Sequence, residues 1–161
     1  KLSTQNDNIL LCVSTQRAFV ASVMSNLHGL ASDYKITMIG MPQWMDYEMD
    51  IDYAMKLKLH LFSPEFVDYT DPKVKQFIIR YRYQYEGEPV PEKHAYEGYD
   101  ITYYFLRALM QFGPEFTRCL RYLSYEGLQL DFDFYQQGDG GWENEYMNIF
   151  RFDNYKLVKV K

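Results

Sequence analysis

Asn8-Ile9-Leu10-Leu11-Cys12-Val13, Ser14-Thr15-Gln16, Arg17 to Leu30 and Lys35-Ile36-Thr37-Met38-Ile39-Gly40 stand one after another near the start of the chain. Their order decides the fold. The run Asn8 to Val13 is short, continuous and apolar, the pattern of a strand buried on both faces. From Arg17 to Leu30, Phe19, Val20, Val23, Met24, Leu27 and Leu30 recur at steps of three and four, which predicts an amphipathic helix. Ser14 or Thr15 can cap its free N–H groups, and Gly29 with Ser32-Asp33 supplies the stop. Lys35 to Gly40 reads as a second strand, ended by Gly40 and Pro42. A strand, a helix and a strand on short connections make a βαβ unit, so the two strands are expected to be parallel neighbours with a right-handed crossover.

Beyond this unit the acidic stretch Met45 to Ala54 is helix-compatible. Lys56-Leu57-Lys58-Leu59-His60-Leu61-Phe62 alternates polar and apolar residues, which predicts a half-exposed strand broken by Ser63-Pro64. Asp71-Pro72 then opens a helix over Lys73 to Tyr85, with proline at the first position, where no N–H is needed. A Pro-containing loop, Glu86 to Pro91, separates it from a long helix over His94 to Phe112. That helix is apolar at Tyr99, Tyr103, Leu106 and Met110 and is stopped by Gly113-Pro114. Glu115 to Leu123 reads as a shorter helix. Leu128 to Phe134 alternates with period two, a Gly-rich turn follows at Gly138 to Gly141, and Asn148 to Phe152 with Tyr155 to Val160 form a hairpin around Asp153-Asn154.

Composition sets the outer limits. At 161 residues, 47% hydrophobic and 24% charged, the chain is globular rather than disordered. The net charge of −5 argues against nucleic acid, which needs clustered Lys and Arg. No apolar run approaches the roughly 18 residues of a membrane span. Lys1 to Gln5 is polar, so no signal peptide is visible, which leaves export open. Cys12 and Cys119 lie far apart without metal-ligand spacing and read as free thiols, a disulfide between them being the alternative.

The helix Phe77 to Tyr85, then Gly87-Glu88-Pro89, then Ala95-Tyr96-Glu97-Gly98-Tyr99-Asp100 followed by Leu106-Arg107-Ala108-Leu109, resembles the type I periplasmic binding proteins. The resemblance is to their Leu/Ile/Val-binding branch, the substrate-binding proteins of ABC transporters. The Val13-Ser14-Thr15 turn, the Ile39-Gly40 strand end and the Asp71-Pro72 helix start fall in the same order, so the similarity runs from about Asn8 to Leu109. It implies an α/β fold in which a parallel sheet is flanked by helices, here as a C-terminal half closed by a β-hairpin. It also implies a domain plan: 1–62 is a βαβ portion of the second lobe and 63–127 a helical portion of the first. The last segment, 128–161, returns to the second lobe, and the first-lobe strands are missing.

Ligands of open α/β sheets sit beyond the C-terminal ends of the strands. Ser14, Thr15 and Gln16, and Gln43 and Trp44 within Met41 to Trp44, meet that condition and are the candidate ligand-binding residues. Hydroxyl and amide groups could hydrogen-bond a polar solute while Trp44 covers its apolar part. The plainer reading is that Ser14 and Thr15 cap a helix and Trp44 packs under a loop. Members of the resembled family that bind amino acids place a carboxylate near the second position to meet the ligand's ammonium. Gln43 stands there instead, with Asp46 nearby.

Gly138-Asp139-Gly140-Gly141 is no phosphate loop, because no Lys and no strand-to-helix context follow it. With Asp131, Asp133, Glu143 and Glu145 it could hold calcium, or be a solvated turn. His28, His60 and His94 share no metal or triad spacing, and Asp46, Glu48, Asp50 and Asp52 read as a solvated face. No catalytic residue, metal site or cofactor is assigned. The expected role is non-catalytic recognition of a small extracytoplasmic solute, amino-acid-like or otherwise polar, for ABC-type uptake. An ABC permease or envelope component is the implied partner, the periplasm or cell envelope the location. A homodimer is expected, because the open strand edges and apolar helix faces need cover. The rival is an envelope interaction or sensor module on the same fold, and an enzyme comes third.

Overall fold

The computed structural model describes residues 1–91, 94–138 and 140–160. Its first elements are β1 (Asn8–Leu11), α1 (Arg17–Leu30), β2 (Ile36–Ile39), a 3-10 turn (Pro42–Asp46), α2 (Ile51–Lys56) and β3 (His60–Ser63). Then come α3 (Pro72–Tyr85), α4 (Ala95–Phe112) and a 3-10 segment (Gly113–Tyr122). The last are β4 (Tyr125–Glu126), β5 (Asp131–Phe132), β6 (Phe134–Gln136), β7 (Trp142–Asn144), β8 (Asn148–Asp153) and β9 (Lys156–Lys159). The chain is an α/β protein whose contacts divide it into two units: Lys1–Ser63 with Asn148–Lys161, and Pro64–Met147.

The first unit holds a five-stranded sheet in the order β1-β2-β3-β8-β9. Strands β1, β2 and β3 are parallel as expected, and the C-terminal hairpin of β8 and β9 adds on antiparallel, which makes the whole sheet mixed. The edge of β3 that a parallel sheet would have left open is covered by β8, with Leu61 opposite Phe150. Two right-handed crossovers stepping the same way along a sheet put both helices on one face. Val20 and Met24 of α1 and Ala54 of α2 do share one core with Met38, Trp44, Leu57, Leu59 and Leu61. Each fully buried Leu contributes about 1.5–3 kcal/mol. The other face explains a correction. Ile9 and Leu11 of β1, and Val13 beyond it, are 69%, 64% and 67% exposed, so the apolar run is an edge strand covered on one side only.

A second correction concerns Lys56 to Phe62. Leu57, Leu59 and Leu61 are buried as the alternation implied, but the strand begins only at His60. Lys56 closes α2, and Lys58 takes a left-handed φ of 45°, which an extended strand excludes. The closing hairpin turns at Asn154 and Tyr155, both with positive φ, the geometry of the tight turns that match strand twist.

The second unit has no large sheet among its described residues, only the two-stranded pairs β4–β5 and β6–β7. Its centre is a carboxylate. Asp100 is fully buried in α4 and accepts the backbone N–H of Leu128 at 2.8 Å, Gln129 at 2.8 Å and Leu130 at 3.0 Å. Burial pushes its carboxyl above the usual range, and those three N–H groups pull it back. A Cβ on Gly127 would stand 2.6 Å from the Asp100 carboxyl carbon, so only glycine lets the loop close on it. Hence Leu128 to Phe134 is not the continuous strand its alternation predicts; residues 127–130 wrap the carboxylate and β5 starts at Asp131.

The helix α4 buries Tyr96, Asp100, Tyr104 and Ala108, while Tyr99, Tyr103, Leu106 and Met110, the stripe expected to pack, are exposed. Aromatic residues surround α4, and the buried carboxylate, not hydropathy, selects its inner face. The ring of Tyr104 stacks on Phe132 at 4.6 Å, and its hydroxyl donates to the Leu123 carbonyl at 3.0 Å. The Glu115 to Leu123 helix is replaced by 3-10 turns from Gly113 to Tyr122. The chain re-enters the first unit at Asn148 rather than at 128, because Phe132 and Phe134 are committed to the Tyr104 cluster. The helix α3 starts as expected on Pro72, with the Asp71 carboxylate accepting the Lys73 N–H at 2.7 Å. Cys12 and Cys119 are free thiols.

Candidate functional site

Parallel strands β1 and β2 end side by side, Leu11 opposite Ile39, and this brings Ser14-Thr15-Gln16 next to the turn Pro42–Asp46. Two side chains hold the loops together. The buried Trp44 donates its indole N–H to the Ser14 carbonyl at 2.8 Å, and the Tyr47 hydroxyl donates to the Thr15 carbonyl at 2.6 Å. Room for the indole comes from Gly40, where a Cβ would lie 2.3 Å from a ring carbon of Trp44. Trp44 therefore serves the core beneath the loops, and its ring is not free to cover a ligand.

The other predicted residues divide by accessibility. Thr15, Gln16 and Gln43 are exposed, and Ser14 is half-buried with its hydroxyl accepting the Gln16 N–H at 3.2 Å. Neither Ser14 nor Thr15 caps α1. The cap residue is Gln16, in extended conformation and without a side-chain hydrogen bond to the helix. The first-turn N–H groups of α1 thus end beside the exposed Gln16 and Thr15, a polar array suited to hydrogen bonding and to a negative group.

Two residues here escape a reading of the sequence. Tyr47 lies in a stretch that reads as a solvated acidic face, and Arg17 reads as an ordinary first-turn residue. In the fold, the Arg17 guanidinium stands 4.8 Å from the centre of the Tyr47 ring. Both line a cavity of about 320 Å³ beneath α1, together with Met24, Met49 and Tyr53. Only the alternation of Tyr47 with Glu48 and Met49 hints that its ring turns inward.

The Gly138 to Gly141 turn offers little to a cation. Asp139 lies outside the described residues, and the carboxylate of Asp131 accepts the Gly127 N–H at 2.9 Å. No group of three or more His, Cys, Asp or Glu among the described residues could hold a metal ion. No helix among them is long and apolar enough to cross a membrane.

No protein-family model and no curated protein matches the chain. Among solved structures it is similar to an ABC transporter substrate-binding protein from Desulfitobacterium hafniense in complex with Leu. The two are 16% identical with a TM-score of 0.42, over 94% of this chain and 43% of that one. The chain therefore spans less than half the length of that protein.

Proposed function

We propose that this chain is part of a two-lobed solute-binding protein of the cell envelope and that it supplies one wall of the ligand cleft. The first unit is then the second lobe and Pro64–Met147 a portion of the first. The observation that carries the reading is the paired strand-end loops. Trp44 and Tyr47 tie Ser14-Thr15-Gln16 to the 42–46 turn while Thr15, Gln16 and Gln43 keep their polar groups toward solvent. Rigid loops with free hydrogen-bonding tips at the C-terminal ends of parallel strands are where open α/β sheets take ligands. The role is recognition without catalysis, of an amino-acid-like or other small polar solute, in ABC-type uptake with a permease as partner. The chain pairs as a homodimer across the exposed stripe of β1.

The second reading, an envelope interaction or sensor module, is favoured by one feature. Gln43 is uncharged where an amino acid's ammonium would need a carboxylate. An ABC permease gene pair beside this gene supports uptake; a receptor or peptidoglycan-binding domain in the parent chain supports the rival.

One wall binds weakly, because such clefts gain affinity by closing from both sides. Titration calorimetry of this chain with free amino acids and small polar solutes is expected to show no binding tighter than millimolar. Any weak binding it detects should be lost in Thr15→Val/Gln43→Ala. Micromolar affinity, or binding indifferent to those substitutions, would overturn the reading.

A further inference from the structure

The geometry points to a second binding site, for an acidic oligosaccharide, in the groove between α3, α4 and the β4–β5 pair. All its residues belong to the second unit, so it stands whether or not the strand-end loops bind a solute. The groove encloses about 800 Å³, within the roughly 300–1,000 Å³ typical of ligand sites.

Its walls carry three kinds of chemistry. Along α4, Tyr99, Tyr103 and Arg107 follow one another at steps of four and form a single file on one face. The Tyr99 and Tyr103 rings are within 16° of parallel at 5.9 Å, and Tyr125 continues the file 5.3 Å from Tyr103. Tyr99 and Tyr103 are 42% and 45% exposed, and both line the groove. A line of half-exposed aromatic rings is what the flat C–H faces of successive sugar rings stack on.

Charge identifies the saccharide further. Arg107 stands one helical turn beyond Tyr103, and Arg80 lines the groove from α3. Neither guanidinium has an ion-pair partner among the described residues. A planar guanidinium pairs with a carboxylate through two parallel hydrogen bonds, so a ring stacked on Tyr103 can present its acid group to Arg107. Across the groove stand Glu126 and Asp133. They accept from hydroxyl donors, which a sugar has in quantity and a phosphate polymer lacks. A ligand with a carboxylate, several hydroxyls and an apolar ring face complements every wall. A neutral sugar leaves Arg80 and Arg107 unmatched, and a polyphosphate has no ring face for Tyr99 and Tyr103 and no hydroxyl donors for Glu126 and Asp133.

The test is binding of a trimer of hexuronic acid to the full chain by titration calorimetry, with a neutral hexose trimer alongside. The expected result is saturable binding of the acidic trimer, at least tenfold tighter than the neutral one. Arg107→Gln and Tyr103→Ala should each weaken it at least tenfold. Both residues lie on the exposed side of α4, and an unchanged melting transition confirms that the variants fold. Leucine and other free amino acids should not compete, which separates this site from the strand-end loops. Equal affinity for the two trimers, no binding, or binding that survives Tyr103→Ala in a folded variant would overturn the proposal.

Discussion

The two units solve the problem of stability with different materials. The first is aliphatic: Leu57, Leu59, Leu61, Met38 and Val20 close on one face of a sheet whose backbone groups satisfy one another in ladders. The second is aromatic and depends on side chains bonded to backbone, with Asp100 holding three N–H groups and the Tyr104 hydroxyl holding a carbonyl. Loss of one methylene weakens the first kind gradually. Loss of one carboxylate removes the centre of the second. Each unit also contains one tryptophan, Trp44 or Trp142, so in the single-tryptophan backgrounds Trp142→Phe and Trp44→Phe fluorescence follows each separately.

The largest effect is expected from Asp100→Ala, which leaves three N–H groups of the 128–130 loop without their acceptor. A buried donor left without its acceptor costs about 1–3 kcal/mol, and here three are left. Trp142 emission should report an unfolded second unit while the transition followed by Trp44 stays in place. A variant in which both tryptophans keep their wild-type transitions would break the contrast.

Next comes Gly40→Ala, which forces a methyl group against the Trp44 ring. Overpacking of this kind costs about 1–3 kcal/mol, and it should appear in the Trp44 transition alone. An unshifted Trp44 transition would mean that the indole does not depend on the bare strand end.

Alkali should separate the units more gently. Among the described residues, the fully buried tyrosines are Tyr96 and Tyr104, both in the second unit. Burial pushes each up to about 12, from 10 in an unfolded chain. The folded state then holds the proton more tightly than the unfolded state. Its stability is intact below pH 10 and is lost as pH rises through about 12. In urea melts over that range the Trp142 midpoint should fall before the Trp44 midpoint, and the reverse order would contradict the assignment.

The smallest change in stability, within about 0.5 kcal/mol, is expected from Ile9→Lys/Leu11→Lys, since both side chains already face solvent. Its consequence is in mass. Light scattering should give twice 19.3 kDa for the wild type and 19.3 kDa for the double variant. A wild-type mass of 19.3 kDa would defeat the dimer.

The same contrast explains how much of the molecule is legible in its residues. Periodicity locates α1 from Arg17 to Leu30 and the parallel pairing of β1 with β2, because aliphatic burial there follows backbone period. It misplaces the inner face of α4, because a buried Asp100 is invisible to hydropathy and Tyr serves equally inside and out. It misses the one-sided exposure of β1, which depends on how the crossovers distribute helices over the sheet. Of the candidate site, the pairing of the two loops follows from parallel neighbours ending together. The burial of Trp44 does not, since a tryptophan after Gly-Met-Pro-Gln can lie over a loop or under it, and the bare Gly40 decides for under.

The central claim is that the tips of the two strand-end loops form a recognition surface. Amide chemical-shift mapping of the isotope-labelled chain with millimolar amino acids and small polar solutes tests it most directly. The account predicts shifts confined to residues 14–16, the 41–44 turn and the first turn of α1, with the amides of 95–138 unmoved. Shifts centred in the second unit, or no shifts with any of these solutes, would contradict it.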